Sequence, residues 1–296
     1  VTRAPRAGPS AEPGRAPADP AAASGGVTGP PCGVPGAPGW VSLLSRDLSA
    51  ATAFYGPLLG WTFRPAASPW GRYLHALVDG AVVAGLAETA GRREVPVGWT
   101  TYFGTEDADA VAERIRSGGG TVAVGPLTFD GGRVVLGADA QNAAFGAWQA
   151  DARRPHRPRG PGTPVRTELR TRDAFAAALF YARVFDWADH DGHRYDIGYE
   201  HDRVVLRVDG RAAAALYGGA DGGGPDDVPD PLLRPGWHVY FATEDVDAAT
   251  EHAVRLGGRI DRPPADTPYG RVAALGDAEG GLFHLVSAPR PARPLA

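Results

Sequence analysis

Apolar and polar positions change period along this chain in a fixed order. Short alternating stretches such as WVSLLSRD and TTYFGTED read as strands with one buried face. Each ends in an acidic residue and runs straight into a segment of helical period. After the first, Leu48, Ala51, Phe54, Tyr55 and Leu58 recur at helical spacing, with Asp47 placed as the N-cap and Gly60 as the stop. After the second, ADAVAERIRSGGG forms a helix capped by Asp107 and ended by its glycines. Further short strands with Gly/Pro turns follow each helix. The unit is βαβββ, and the pattern predicts two units per domain and four per chain.

The chain also repeats at longer range. Asp47, Phe54, Tyr55 and Trp61 recur as Asp173, Phe180, Tyr181 and Trp187, a displacement of 126. Asp79-Gly80 recurs as Asp209-Gly210, displaced by 130. Trp99, Tyr102, Phe103, Asp107, Asp139 and Phe145 recur as Trp237, Tyr240, Phe241, Asp245, Asp277 and Phe283, displaced by 138. A displacement that grows in steps is the mark of loop insertions in a tandem duplication, and two copies do not make a solenoid. The division that follows is a Pro/Ala/Gly-rich tail over 1–37, a first domain over 38–150, a Pro/Arg-rich linker over 151–163, a second domain over 164–288 and a short tail over 289–296. The segment 1–37 has no aromatic residue, Leu or Ile, so it is expected to be disordered.

Composition narrows the chemistry. All 30 basic residues are Arg, which removes Schiff-base and P-loop lysine mechanisms. A net charge of −4 gives no reason to expect nucleic acid as a partner. The single cysteine, Cys32, excludes an internal disulfide and a multi-cysteine zinc site. No apolar run is long enough to span a bilayer, and the N-terminus lacks the apolar core of a signal peptide, so a cytoplasmic location without membrane contact is expected. No G-x-S-x-G elbow is present.

The strings SRDLSAATAFYGPLLGWTF, GWTTYFGTEDADAVAERIRSGGGTV and GADAQNAAFGAW, with their second-domain partners RTRDAFAAALFYARVFDWA, GWHVYFATEDVDAATEHAVRLGGRI and GDAEGGLFHLV, resemble the vicinal oxygen chelate superfamily of glyoxalases, bleomycin-resistance proteins and extradiol dioxygenases. The likeness is strongest to two-domain, hydroxylase-like members. The resemblance covers about residues 38–288. It implies an α+β fold of two tandem domains, each with two βαβββ modules curling a mixed sheet into a cup, helices outside it. It also implies a small-molecule ligand within a cup and, in many members, a divalent metal ion.

Strand alternation then sorts the side chains. In the second domain Arg166, Glu168, Arg170, His238, Tyr240 and His284 face the cup, with Val165 and Leu169 under the helix. The matching first-domain positions include Trp40, Tyr102 and Trp148, with no histidine or carboxylate among them, which describes an aromatic-lined apolar pocket. The resemblance places metal ligands on the first, fifth and last strands. His238 and His284 match two of these stations, and the third holds Arg166, which cannot ligate. Glu168, two residues along, completes a 2-His-1-carboxylate set suited to Fe²⁺, with Mn²⁺, Zn²⁺ or Ni²⁺ as alternatives. Three readings of these residues stay open: a metal site, a metal-free acid/base site, and a polar pocket lining. As a metal site it implies an oxygenase, hydroxylase or glyoxalase-like enzyme acting on an aromatic or polyketide-like metabolite, with Tyr240 donating a hydrogen bond and Arg166 or Arg170 holding a substrate anion. Its rival is a non-catalytic drug- or metabolite-binding protein, which the aromatic first cup favours. Either a monomer or a homodimer fits, because tandem domains complete within one chain what single-domain relatives build by pairing. DHDGH at 189–193, and His75, His156 and His201, read as structural or solvent-facing positions.

Overall fold

The computed structural model describes residues 34–66, 68, 71–89, 97–129, 131–150, 159–187, 195–200, 203–218, 234–268 and 270–287. The first domain runs β1 (Pro38–Ser45), α1 (Leu48–Leu59), β2 (Thr62–Ala66), β3 (Tyr73–Val78), β4 (Ala81–Glu88), then β5 (Gly98–Gly104), α2 (Ala108–Ser117), β6 (Thr121–Phe129), β7 (Gly132–Ala138) and β8 (Ala144–Ala150). The second runs β9 (Pro164–Thr171), α3 (Ala174–Phe185), β10 (Tyr195–Glu200), β11 (Arg203–Val208), β12 (Arg211–Gly218), then β13 (Gly236–Ala242), α4 (Val246–Arg255), β14 (Arg259–Thr267), β15 (Gly270–Gly276) and β16 (Leu282–Val286). This is the βαβββ unit used four times.

Local chemistry sets these boundaries. Each helix starts on an aspartate whose carboxylate accepts backbone N–H groups: Asp47 from Ser49 and Ala50, Asp107 from Ala110, Asp173 from Ala176 and Asp245 from Ala248. Each such cap is worth about 1 kcal/mol. Gly60 ends α1 in the left-handed backbone conformation, which glycine adopts without steric cost. The repeated Asp-Gly pairs make the β3–β4 and β11–β12 hairpin turns. Asp79, Gly80, Asp209 and Gly210 all have positive φ, as two-residue turns of the primed type I class require.

Each domain forms one eight-stranded mixed sheet, ordered β2-β3-β4-β1-β5-β8-β7-β6 and β10-β11-β12-β9-β13-β16-β15-β14. The central pairs β1/β5 and β9/β13 are antiparallel, and each central strand has a parallel neighbour on its other side.

The helices lie between the two sheets, α1 beside α4 and α2 beside α3. Both apolar cores are therefore shared between domains. One joins Phe103, Val111, Ile115 and Phe145 to Tyr181, Val184, Phe185, Leu216 and Trp237. The other joins Leu43, Phe54, Tyr55, Trp61 and Trp99 to Val239, Phe241, Leu275 and Phe283. Two matched polar chains cross the same boundary. Trp99 Nε1 donates to the Tyr55 hydroxyl at 3.0 Å, and that hydroxyl donates to Asp277 at 2.9 Å. Trp237 Nε1 donates to the Tyr181 hydroxyl at 2.9 Å, and that hydroxyl donates to Asp139 at 3.1 Å. Two indole latches add to them, Trp61 Nε1 to the Gly162 carbonyl and Trp187 Nε1 to the Gly36 carbonyl, both at 2.7 Å.

Three expectations need correction. Residues 34–37 join the fold rather than the tail: Pro35 bridges Gly104, and Ala37 is buried. At the end of α1 the buried leucine is Leu59, with Leu58 half-buried beside it. Val165 is not beneath a helix but 48% exposed, because the sheet-to-helix contact begins further along β9 at Thr167 and Leu169. Cys32, DHDGH, His156 and His201 lie outside the described residues.

Candidate functional site

Strand register assembles the second cup from its two central strands. β9 and β13 place Glu168 opposite His238 and Arg166 opposite Tyr240, and β13 and β16 place Tyr240 beside His284. On the other flank β12 sets Tyr217 beside Arg170, and β11 sets Arg203 opposite Tyr217. Six side chains expected in the cup therefore meet there, and sequence reading missed two more, Arg203 and Tyr217. The β11 sequence RVVLRV has no clean alternation to reveal its inward face. The 130-residue displacement, which sets Arg203 against Tyr73, was the available signal.

The centre is a buried carboxylate. Glu168 is 1% exposed. The Tyr240 hydroxyl donates to its Oε2 at 2.5 Å, and Arg170 Nη2 lies 3.4 Å from the same oxygen. Arg166 Nε lies 2.8 Å from Oε1, with Arg203 Nη1 at 3.9 Å. Aromatic rings pack against the guanidiniums. Arg166 sits 4.4 Å from the Tyr240 ring centroid and Arg170 4.1 Å from that of Tyr217. Arg203 Nη1 donates to the Tyr217 hydroxyl at 2.6 Å. Burial, with the Glu168 charge alongside, pushes the Tyr240 hydroxyl well above its ordinary pKa, so it stays a donor.

Next to this cluster, His238 Nδ1 and His284 Nε2 are 2.8 Å apart, and His284 stacks on Tyr240 at 4.3 Å. One imidazole donates and the other accepts. Burial first, then the His238 and arginine charges, hold His284 well below the ordinary value of 6.5. Unfolding releases His284 to protonate normally, so acid takes stability away as pH falls below about 6.5. The melting temperature is expected to drop between pH 7 and pH 5 by more in the native chain than in a His284→Gln variant. Parallel melting curves would refute this coupling.

At the same stations the first cup carries uncharged groups. Trp40 Nε1 donates to the Tyr73 hydroxyl at 3.3 Å, and Ser42 reaches it at 3.5 Å. His75 sits edge-on to both Trp40 and Tyr73. His75 is carried on β3, outside the stations compared with the second cup, and is buried. The Tyr102 ring lies flat over Gly146, where a Cβ would come within 2.1 Å of it. The second cup has His284 at that station. Trp40 and Trp148 are each 2% exposed, so their faces already touch protein, while Tyr102 is half-buried.

Glu168, His238 and His284 do not fit a divalent ion as arranged. The carboxylate is committed to guanidiniums and a phenol, the imidazoles face each other, and three cations surround the donors. Among the described residues no three His, Cys, Asp or Glu side chains are grouped to hold a metal. Also among them, no helix is long and apolar enough to cross a membrane.

Comparisons with known proteins agree with this architecture. Residues 37–141 match the glyoxalase/bleomycin resistance protein/dioxygenase superfamily model, and residues 166–286 match a glyoxalase-like domain model. The chain is 35% identical to the anthracycline biosynthesis protein DauV of Streptomyces sp. (strain C5), covering 85% of this chain and 93% of that protein. It is 34% identical to "Putative glyoxylase CFP32" of Mycobacterium tuberculosis (strain CDC 1551 / Oshkosh), covering 86% and 96%. Among solved structures, the Mn(II)-bound glyoxalase from Novosphingobium aromaticivorans superposes with a TM-score of 0.54 at 15% identity, over 86% of this chain and 82% of that one. At that identity the likeness concerns the fold.

Proposed function

The chain belongs to the glyoxalase/bleomycin resistance protein/dioxygenase superfamily, with two glyoxalase-like domains in tandem, and on that premise we propose that its second cup is the working site, a receptacle for a small aromatic metabolite bearing an oxyanion. One observation carries this reading: Arg166, Arg170 and Arg203 converge on Glu168 in the cup. Guanidinium N–H pairs match carboxylate and phenolate oxygens, and Tyr217 and Tyr240 supply flat apolar surface. Relatives named for anthracycline biosynthesis support an aromatic metabolite, and a relative named as a glyoxylase supports a small carbonyl compound.

The hydrogen-bonded imidazole pair favours a second reading, proton transfer within the same cup. An imidazole in hydrogen-bond reach of a ligand C–H or O–H acid takes its proton, and a nearby guanidinium holds the resulting oxyanion. Chemistry through a metal at Glu168, His238 and His284 is not carried forward, because the donor set does not fit.

Binding is tested by calorimetric titration of the full chain with benzoate and salicylate. Saturable binding is expected, and Arg170→Ala is expected to weaken it by more than about tenfold. Trp148→Phe, in the first cup, is expected to leave it unchanged. Equal affinity in the native chain and Arg170→Ala overturns the assignment.

A further inference from the structure

We infer that the outer edge of β10 is a pairing surface for a second copy of this chain. The two sheets end in four edge strands, β2, β6, β10 and β14. An edge strand turns every second N–H and C=O outward, where a passing strand can bond them, and a proline removes the donor. Three of the four edges carry proline: Pro65 in β2, Pro126 in β6, and Pro263 with Pro264 in β14. The fourth, β10, reads YDIGYE and has none. The contrast holds station by station. Pro65 lies opposite Leu74 and Tyr199 opposite Val204, stations displaced by 130, so the first-domain proline stands where the second domain has Tyr199. Tyr199 is 74% exposed and Ile197, on the same face, 42%. Among the described residues no strand pairs with this edge.

The sequence of the edge selects the occupant, because β10 is complementary to itself. In an antiparallel pair centred on Ile197, that residue meets its own copy, Tyr195 meets Tyr199, and Asp196 meets Gly198. One face of the joint is then an unbroken apolar row. On the other face the Arg207 guanidinium passes over Gly198, 3.7 Å from where a Cβ would stand, to pair with Glu200. Asp196 of the second copy, set against Gly198, lands beside that guanidinium, so each copy offers the other an opposite charge. Centring the pair on Gly198 instead sets Asp196 against Glu200, a like-charge contact that costs stability. The contact is isologous, so it closes at two copies. Six residues of edge bury less than a standard interface of about 1,600 Å², so the dimer is expected to dissociate on dilution.

The test is sedimentation equilibrium of the tag-free full chain from about 1 to about 200 µM. The native chain is expected to pass from monomer to dimer across this range. Tyr199→Pro copies the first-domain edge, and Ile197→Lys sets two like charges face to face on the twofold axis. Each is expected to weaken the dimer at least about tenfold, with circular dichroism confirming the fold. Tyr199→Phe keeps the ring and is expected to keep the dimer. Mixing Ile197→Lys with Ile197→Glu is expected to restore dimers that neither variant forms alone. A native chain that stays monomeric throughout overturns the inference. So does a dimer indifferent to both edge variants, which places the contact elsewhere. Dimers lost in both charge variants and not restored by mixing overturn the pairing of Ile197 with its own copy.

Discussion

Expressed without its partner, residues 164–288 are expected not to yield a folded monomer, and the same holds for residues 34–150. Each half supplies one side of both apolar cores. Phe103 stacks on Phe185 at 4.4 Å and on Tyr181 at 5.7 Å, and Trp61 and Trp99 meet Phe241 edge-on at 5.4 and 5.0 Å. Separation uncovers these rings. A large aromatic side chain buries about 150–250 Å², so half-exposing eight of them uncovers about 800 Å², or about 20 kcal/mol at ~25 cal/mol/Å². Typical domain stability is only about 5–15 kcal/mol. The halves are therefore expected to aggregate or self-associate when made singly and to form a soluble 1:1 complex when co-expressed. A monodisperse monomer of either half with a cooperative melt, seen by light scattering and calorimetry, would show that the shared cores are dispensable.

Removing one hydroxyl from the interdomain polar chains is expected to be almost as informative. In Tyr55→Phe the Trp99 indole N–H loses its acceptor, and Asp277 Oδ2 loses its donor, both in a buried setting. The other carboxylate oxygen remains held by the backbone N–H groups of Glu279 and Gly281, so the group cannot swing away. An orphaned buried donor or acceptor costs about 1–3 kcal/mol, which puts the variant about 2–4 kcal/mol below the native chain. For a chain of this size that lowers the melting temperature by on the order of 10 °C. Tyr181→Phe is expected to match it, since Tyr181, Asp139 and Trp237 repeat the arrangement. Tyr199→Phe, at a residue 74% exposed, serves as the neutral control. A melting temperature for Tyr55→Phe within about 2 °C of that control would mean that water or a rearrangement satisfies the orphaned groups.

Much of the fold was legible because it is written in local terms. Four capping aspartates, two Asp-Gly turns and the alternation around Trp99 and Trp237 fix the units without knowledge of what they touch. The inward face of β13 followed from the same alternation, so His238 and Tyr240 were placed correctly. Side chains brought in by outer strands were not. Arg203 reaches Glu168 from β11, and His75 reaches Trp40 from β3, and both depend on pairing register and sheet curvature that no local period encodes. Alternation placed Arg166 and Arg170 on the same face as Glu168, and folding brings both onto its carboxylate. Asp139 and Asp277 stood out in the sequence only as repeating positions, and their cross-domain partners appear only when the two sheets are brought face to face.

The twofold-like exchange between domains has an evolutionary consequence. A protein assembled from two copies of a single-domain chain must carry identical concave faces, since one gene writes both. Once the copies are joined, each face mutates independently while the shared interior keeps them together. Here one face became a cage of arginines and the other a stack of indole and phenol rings, a division of labour closed to any symmetric ancestor.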